Sequence, residues 1–255
     1  MNWPGTMDKQ RGGQRMGLAE FYTGLLGLPA DYYGVVKRLC NGESGYSDAA
    51  QHDFLAGVAA AEVAQPPQIT VRAGDMRVDA PVWFGNPELA QRTIMIVGME
   101  PRHSDDRYNL RRVGDTVYAS PFGADRWCSG SSNKYYTVLQ QLLPPCFPDL
   151  CVVLTDIVKE YQVLDPDHKQ DNDQLARQSF KERFTAQGQM LFAEELHCIQ
   201  PDLVLAFGRA TTMQLGRYCG ERLPVLSVRH PAYGGVNQAK TQLAGLCRLM
   251  KGPRS

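Results

Sequence analysis

Ile94-Met95-Ile96-Val97-Gly98-Met99-Glu100-Pro101-Arg102-His103 is the stretch that decides how this chain of 255 residues folds. Four apolar residues run into a glycine, and an acid, a proline, a base and a histidine follow. An apolar run this short, closed by Gly and Pro, predicts a buried strand rather than a helix. The polar residues after it then form a loop at the strand's C-terminal end, where open α/β sheets bind their ligands.

Three more apolar runs end in the same way. Strands are expected over 93–97, 151–155, 203–207 and 225–228. Helical spacing lies between and after them, over 133–143, 174–199 (with a break near Gly188), 210–218 and 237–250. Apolar runs bracketed by helices mark a parallel sheet covered on both faces. The expected architecture is a three-layer α/β/α domain with a central four-stranded parallel sheet, over 86–255. Residues 1–16 read as a disordered leader and 17–85 as a helical N-terminal extension. Helical spacing runs over 19–26 and 31–40, and a third helix starts at Asp48 or Asp53. Pro66-Pro67 ends it, and 69–82 has room for a short hairpin.

Hydrophobic residues at 43% and charged ones at 21% are ordinary for a globular chain and argue against wholesale disorder. No apolar run approaches the ~20 residues that span a bilayer, and the N-terminus lacks the apolar core of a signal peptide. A cytoplasmic monomer with no membrane contact is expected. The seven cysteines include no C-x-x-C pair, which argues against a disulfide framework, a zinc ribbon or a clustered iron–sulfur site. No cofactor and no metal are expected, since His103, Asp105 and Asp106 have no second cluster to complete a site. Lys+Arg and Asp+Glu both number 27, so net charge points to no partner. The distribution is uneven. Residues 208–255 carry Arg209, Arg217, Arg222, Arg229, Lys240, Arg248, Lys251 and Arg254 against Glu221 alone. Such a basic end is either a phosphate-facing surface or a solvated face with a ragged tail.

The residues that follow the four strands carry the chemistry. Gly98-Met99-Glu100-Pro101-Arg102-His103 follows the first, and Asp156 closes the second within Leu154-Thr155-Asp156-Ile157-Val158-Lys159. Gly208-Arg209 follows the third and Arg229-His230-Pro231-Ala232 the fourth. In a parallel sheet these ends share one edge, so a glutamate, an aspartate and a histidine converge there. Taken singly each has a plainer reading: Glu100 as a strand-end acid paired with an arginine, Asp156 as a cap, His230 as a turn residue, Arg209 as a surface residue at a helix start.

Together the set resembles the uracil-DNA glycosylase superfamily. Residues 98–103 are similar to that family's first motif, which reads Gly-Gln-Asp-Pro-Tyr-His in one branch. Pro121-Phe122-Gly123 resembles the segment whose aromatic stacks on the extruded base. Leu154–Lys159 resembles the strand whose Asn reads uracil, and His230-Pro231-Ala232 the closing His-Pro-Ser or His-Pro-Ala motif. The resemblance covers 93 to the C-terminus. It implies a uracil-DNA glycosylase-like catalytic domain and a monofunctional glycosylase that flips a base from DNA and leaves an abasic site. Glu100 would activate water and face the sugar cation, and His230 would hydrogen-bond the base O2 as charge builds there. Met99, Arg102, His103, Phe122 and Asp156 would surround the base. Ser129, Ser131, Ser132, Arg209 and Arg229 would meet phosphates; Tyr233 would wedge into the duplex, with Gly234 and Gly235 admitting backbone to phosphate. Glu160 and Tyr161 stand where the iron–sulfur branch keeps a cysteine, so no cluster is expected.

Asp156 replaces the family's Asn, and that departure bears on the substrate. An ionised carboxylate only accepts hydrogen bonds. It repels uracil O4 but accepts from the N4 amino group of cytosine, and a proton shared with N3 adds a second bond. Arg102, where one branch has a Tyr that crowds C5, precedes the polar run Ser104-Asp105-Asp106-Arg107-Tyr108-Asn109, suited to a bulky C5 substituent. The expected substrate is a modified cytosine, for example glucosylated hydroxymethylcytosine in phage DNA, as in glycosylases proposed for bacterial antiviral defence. The rival readings are a uracil or deaminated-base repair glycosylase with Asp156 protonated, a catalytically inactive DNA-binding module, and a hydrolase of free nucleotides.

Overall fold

The computed structural model describes residues 76–79, 81–84, 90–100, 109–113, 116–119, 138, 149–162, 184–219, 223–231 and 234–251. The elements in chain order are β1 (Met76–Asp79), β2 (Val82–Phe84), β3 (Arg92–Gly98), β4 (Asn109–Val113), β5 (Thr116–Ala119), β6 (Leu150–Asp156), β7 (Glu160–Gln162), α1 (Ala186–Ile199), β8 (Leu203–Phe207), α2 (Arg209–Cys219), β9 (Val225–Val228) and α3 (Val236–Lys251).

Four strands run parallel in the order β6-β3-β8-β9, and the three helices flank them; β2 adds an antiparallel edge against β6. This is the expected α/β domain with its four-stranded parallel sheet. The core strands β3, β6 and β8 are buried along nearly their whole length. That is why they read as unbroken apolar runs instead of alternating ones. Strand β9 closes the sheet at an edge, with Leu226 and Ser227 exposed.

The apolar residues of β3, β6 and β8 pack with Leu191, Phe192, Leu215, Ala239 and Leu243 into one core. Phe192 is fully buried; truncating such a residue to Ala costs about 3–5 kcal/mol. Helix α1 buries Gly188, Leu191, Phe192, Glu195 and Ile199, a stripe at helical spacing with an acid inside it. It starts at Ala186, where Thr185 is extended and its side chain accepts from Gly188 N at 2.9 Å as an N-cap. The break expected near Gly188 falls close to this start, and 174–183 lie outside the described residues. Gln200, in the left-handed region at φ 42°, ends it ahead of Pro201.

A second sheet, in the order β4-β5-β1-β7, was not expected. Strand β1 pairs parallel with β5 and antiparallel with β7, while β2 goes to the parallel sheet. The hairpin anticipated over 69–82 does not form in the described part of that range, since two short adjacent strands joined different sheets. Asn109, expected to end a loop, opens β4. Residues 76–79 and 82–84, placed with the helical extension, are thus strands, and the helical reading of 17–75 lies outside the described residues. Of 133–143, only Val138 is described, helical and buried. No described helix is long and apolar enough to cross a membrane.

Candidate functional site

The sheet register aligns the strand ends that carry the candidate residues. Gly98 stands opposite Asp156, and the pairing continues past the strands: Ile157 N donates to Gly98 O at 3.0 Å and Val158 N to Met99 O at 3.1 Å. The segment holding Met99 and half-buried Glu100 is therefore strapped to the one that follows Asp156. On the other side Phe207 pairs with Val228, and Gly208 N donates to Val228 O at 2.8 Å. Since β3 and β8 are themselves paired, the ends bearing Glu100, Asp156, Arg209 and His230 all leave one edge of the sheet.

His230 sits where β9 turns toward α3. Its ring meets Phe207 edge-on, with centroids 6.0 Å apart and planes at 64°. Gly208 and Gly235 lie beside it, and Gly235 is the one that makes room. Gly208 has φ +87°, a left-handed turn between β8 and α2, and a Cβ there would lie 3.7 Å from His230 Cβ. A Cβ on Gly235 would lie 1.9 Å from the His230 carbonyl oxygen, so the chain passes over His230 only without a side chain at 235. Arg229 N donates to Gln242 Oε1 at 2.7 Å, which anchors this turn to α3. Arg209, Arg229 and Gly234 are exposed, whereas Gly235 is buried. Arg102, His103, Phe122, Ser129, Ser131, Ser132 and Tyr233 lie outside the described residues.

Beneath the edge is a buried charged cluster that the strand-by-strand reading did not include. Lys159 Nζ lies 2.5 Å from Asp79 Oδ2 and 2.5 Å from Glu195 Oε1, and donates to Thr155 Oγ1 at 2.7 Å. The Thr155 hydroxyl reaches Glu195 Oε2 at 2.8 Å, and Asp156 N donates to Asp79 Oδ2 at 3.2 Å. Asp79 comes from β1, Glu195 from α1, and the rest from β6 and the turn after it. Two signals in the sequence mark this cluster: a lysine three residues past the end of a buried strand, directly after Ile157-Val158, and Glu195 inside the apolar stripe of its helix. Asp79 carries no such local signal.

Burial and the cluster both act on the ionisation of Asp156. Burial pushes its carboxyl well above the usual range, and the carboxylates of Asp79 and Glu195 add to the rise while Lys159 opposes it. An acceptor-only, ionised Asp156 is therefore not what the surroundings favour. Lys159 goes the other way. Burial works against its charge, but Asp79 and Glu195 outweigh that and raise its ionisation. Among the described residues no group of three or more His, Cys or acidic side chains is arranged to hold a metal ion. Cys151 and Cys247 are buried, and burial raises the thiols of Cys198 and Cys219. No protein-family model and no curated protein sequence matches the chain.

Proposed function

We propose that this protein is a monofunctional DNA glycosylase with the three-layer α/β/α architecture of the uracil-DNA glycosylase superfamily, and that its target is a cytosine modified at C5. One observation carries the reading: the register brings the strand ends bearing Glu100, Asp156 and His230 to one sheet edge. Water adds to C1′ as the bond from C1′ to the base nitrogen breaks and its electron pair leaves with the base. Glu100 takes the proton from water, and His230 donates a hydrogen bond to O2 as negative charge collects there. Asp156 reads the Watson–Crick edge. A carboxyl that keeps its proton donates to ring N3 and accepts from the N4 amino group of a cytosine, two bonds to one edge. Arg102 and the polar run after it are the sequence's candidates for the C5 substituent.

A second reading, excision of uracil, is favoured by the burial of Asp156 beside Asp79. A carboxyl held toward its neutral form does not repel O4. The deciding experiment offers duplexes with cytosine, hydroxymethylcytosine, glucosylated hydroxymethylcytosine and uracil, and counts abasic sites, with Glu100→Gln as control. Release of modified cytosine alone is the expected result. Release of uracil alone replaces the substrate, and no abasic sites from any duplex would favour a DNA-binding module without activity.

A further inference from the structure

The backbone at the end of β6 is held from two sides. Strand β2 pairs with β6 no further than Val82 opposite Leu154, so the N–H of Asp156 lies past the end of that ladder. Its acceptor comes instead from the end of β1: Asp79 Oδ2, at 3.2 Å. The next two N–H groups, of Ile157 and Val158, donate to Gly98 O and Met99 O beside β3. Asp79 also holds the far end of this turn. Its own N–H donates to Lys159 O at 2.7 Å, and its Oδ2 pairs with Lys159 Nζ at 2.5 Å. One residue of β1 is therefore bonded to both Asp156 and Lys159, and the backbone between them is bonded to the segment that leads into Glu100. Asp79 is itself fully buried, and its register opposite Ala119 of β5 seats it in the second sheet. Hydrogen bonds from N–H groups to a carboxylate are among the stronger ones.

We propose that Asp79 is a positioning residue: its Oδ2 fixes the backbone of Asp156, and with it the turn to which the segment carrying Glu100 is strapped. Its effect on base release rests on the glycosylase reading; its hold on Asp156 does not. Reacting groups tolerate little displacement, and a shift of about 1 Å can cost about 100-fold in rate. Without an acceptor at 79 the N–H of Asp156 has no strand to turn to, and the turn is held from the β3 side alone. What this role needs is an acceptor oxygen in one place. Asn at 79 keeps that oxygen, with its amide nitrogen where Asp79 Oδ1 accepts no hydrogen bond. Ala keeps nothing.

The test joins amide hydrogen exchange, read by NMR on the full-length protein, to single-turnover base release. In the wild type the Asp156 amide should be protected although it lies past the β2 ladder; free exchange there overturns the proposal without any variant. In Asp79→Ala this amide should exchange about 10–100-fold faster relative to those of β8, and Asp79→Asn should restore it. Leu215→Ala, at a buried core position of α2, controls for lost stability and should lower protection at Asp156 and in β8 alike. Unchanged relative protection in Asp79→Ala, or no recovery in Asp79→Asn, overturns the hold on Asp156. Base release should slow by about 10–100-fold in Asp79→Ala and recover in Asp79→Asn. Affinity for the duplex should stay the same, because phosphate contacts carry most of it. Weaker binding at an unchanged rate, or equal slowing in Leu215→Ala, overturns the positioning role. A wild-type protein inert on every duplex overturns the glycosylase reading, while the exchange data still decide whether Asp79 holds Asp156.

Discussion

The backbone N–H of Asp156 donates to Oδ2 of Asp79 at 3.2 Å, although 77 residues of chain separate the two. The same oxygen pairs with Lys159 at 2.5 Å. Strand β1 is thus tied to the end of β6 at the point where the candidate base reader leaves the sheet, and stability and chemistry are coupled there.

Asp156 should make the protein less stable as pH rises. Its folded-state ionisation lies well above that of an exposed carboxyl. Above about pH 4, where an unfolded aspartate loses its proton, the folded chain keeps a proton that the unfolded chain releases. Stability then falls with pH until the folded carboxyl also ionises. Asp156→Asn removes this dependence. Urea unfolding should show the variant gaining on the wild type between pH 5 and pH 8, with the advantage gone near pH 3.

Lys159→Met should be severely destabilising, by about 3–5 kcal/mol, because it removes the ammonium that the buried carboxyls of Asp79 and Glu195 share. Combining it with Asp79→Asn and Glu195→Gln should restore part of the loss. In the wild type the Lys159 ionisation is raised, so its contribution is complete below about pH 10 and is lost as pH climbs through the folded value. Chemical denaturation of the single and triple variants measures both effects.

Gly235→Ala should damage the turn that holds His230, since the added Cβ would lie 1.9 Å from the His230 carbonyl oxygen. The backbone must move, at a cost of about 1–3 kcal/mol, and any activity that depends on His230 should fall with it. Gly216→Ala is the contrast. Nothing lies within 4 Å of its added methyl, and it sits inside α2. It should stabilise the protein by up to about 1 kcal/mol. Thermal unfolding of the two variants gives opposite signs if the close approach at 235 is real.

Glu100→Gln should reduce base release by about 10²–10⁴-fold, through loss of the group that takes the water proton. His230→Ala should cost about 10²–10³-fold, through loss of the donor at O2. Glu100 is only half-buried, so its variant should unfold at the wild-type denaturant concentration. Loss of folding in Glu100→Gln would assign that residue a structural role instead.

The parallel sheet was legible because its strands are buried on both faces. Each appears as a local apolar run, and 203–207 and 225–228 match β8 and β9 residue for residue. That Glu100, Asp156 and His230 follow strand ends, and so share an edge, needed no more than those runs. The second sheet was not legible. Its strands β1, β4, β5 and β7 are three to five residues long, and their pairing links stretches far apart in the chain. The charge of Asp156 was out of reach for the same reason. Read locally it is an ordinary aspartate and hence an anion; the rise in its ionisation comes from burial and from acids on a strand 77 residues earlier and on a helix 39 residues later, at Glu195. The sequence by itself determined the α/β sheet and which of its ends carry polar residues, since burial along one strand is written in that strand's own side chains. Only the tertiary structure decided what those residues can do as acids and bases, because desolvation and through-space charge are properties of the assembled neighbourhood and not of any one segment.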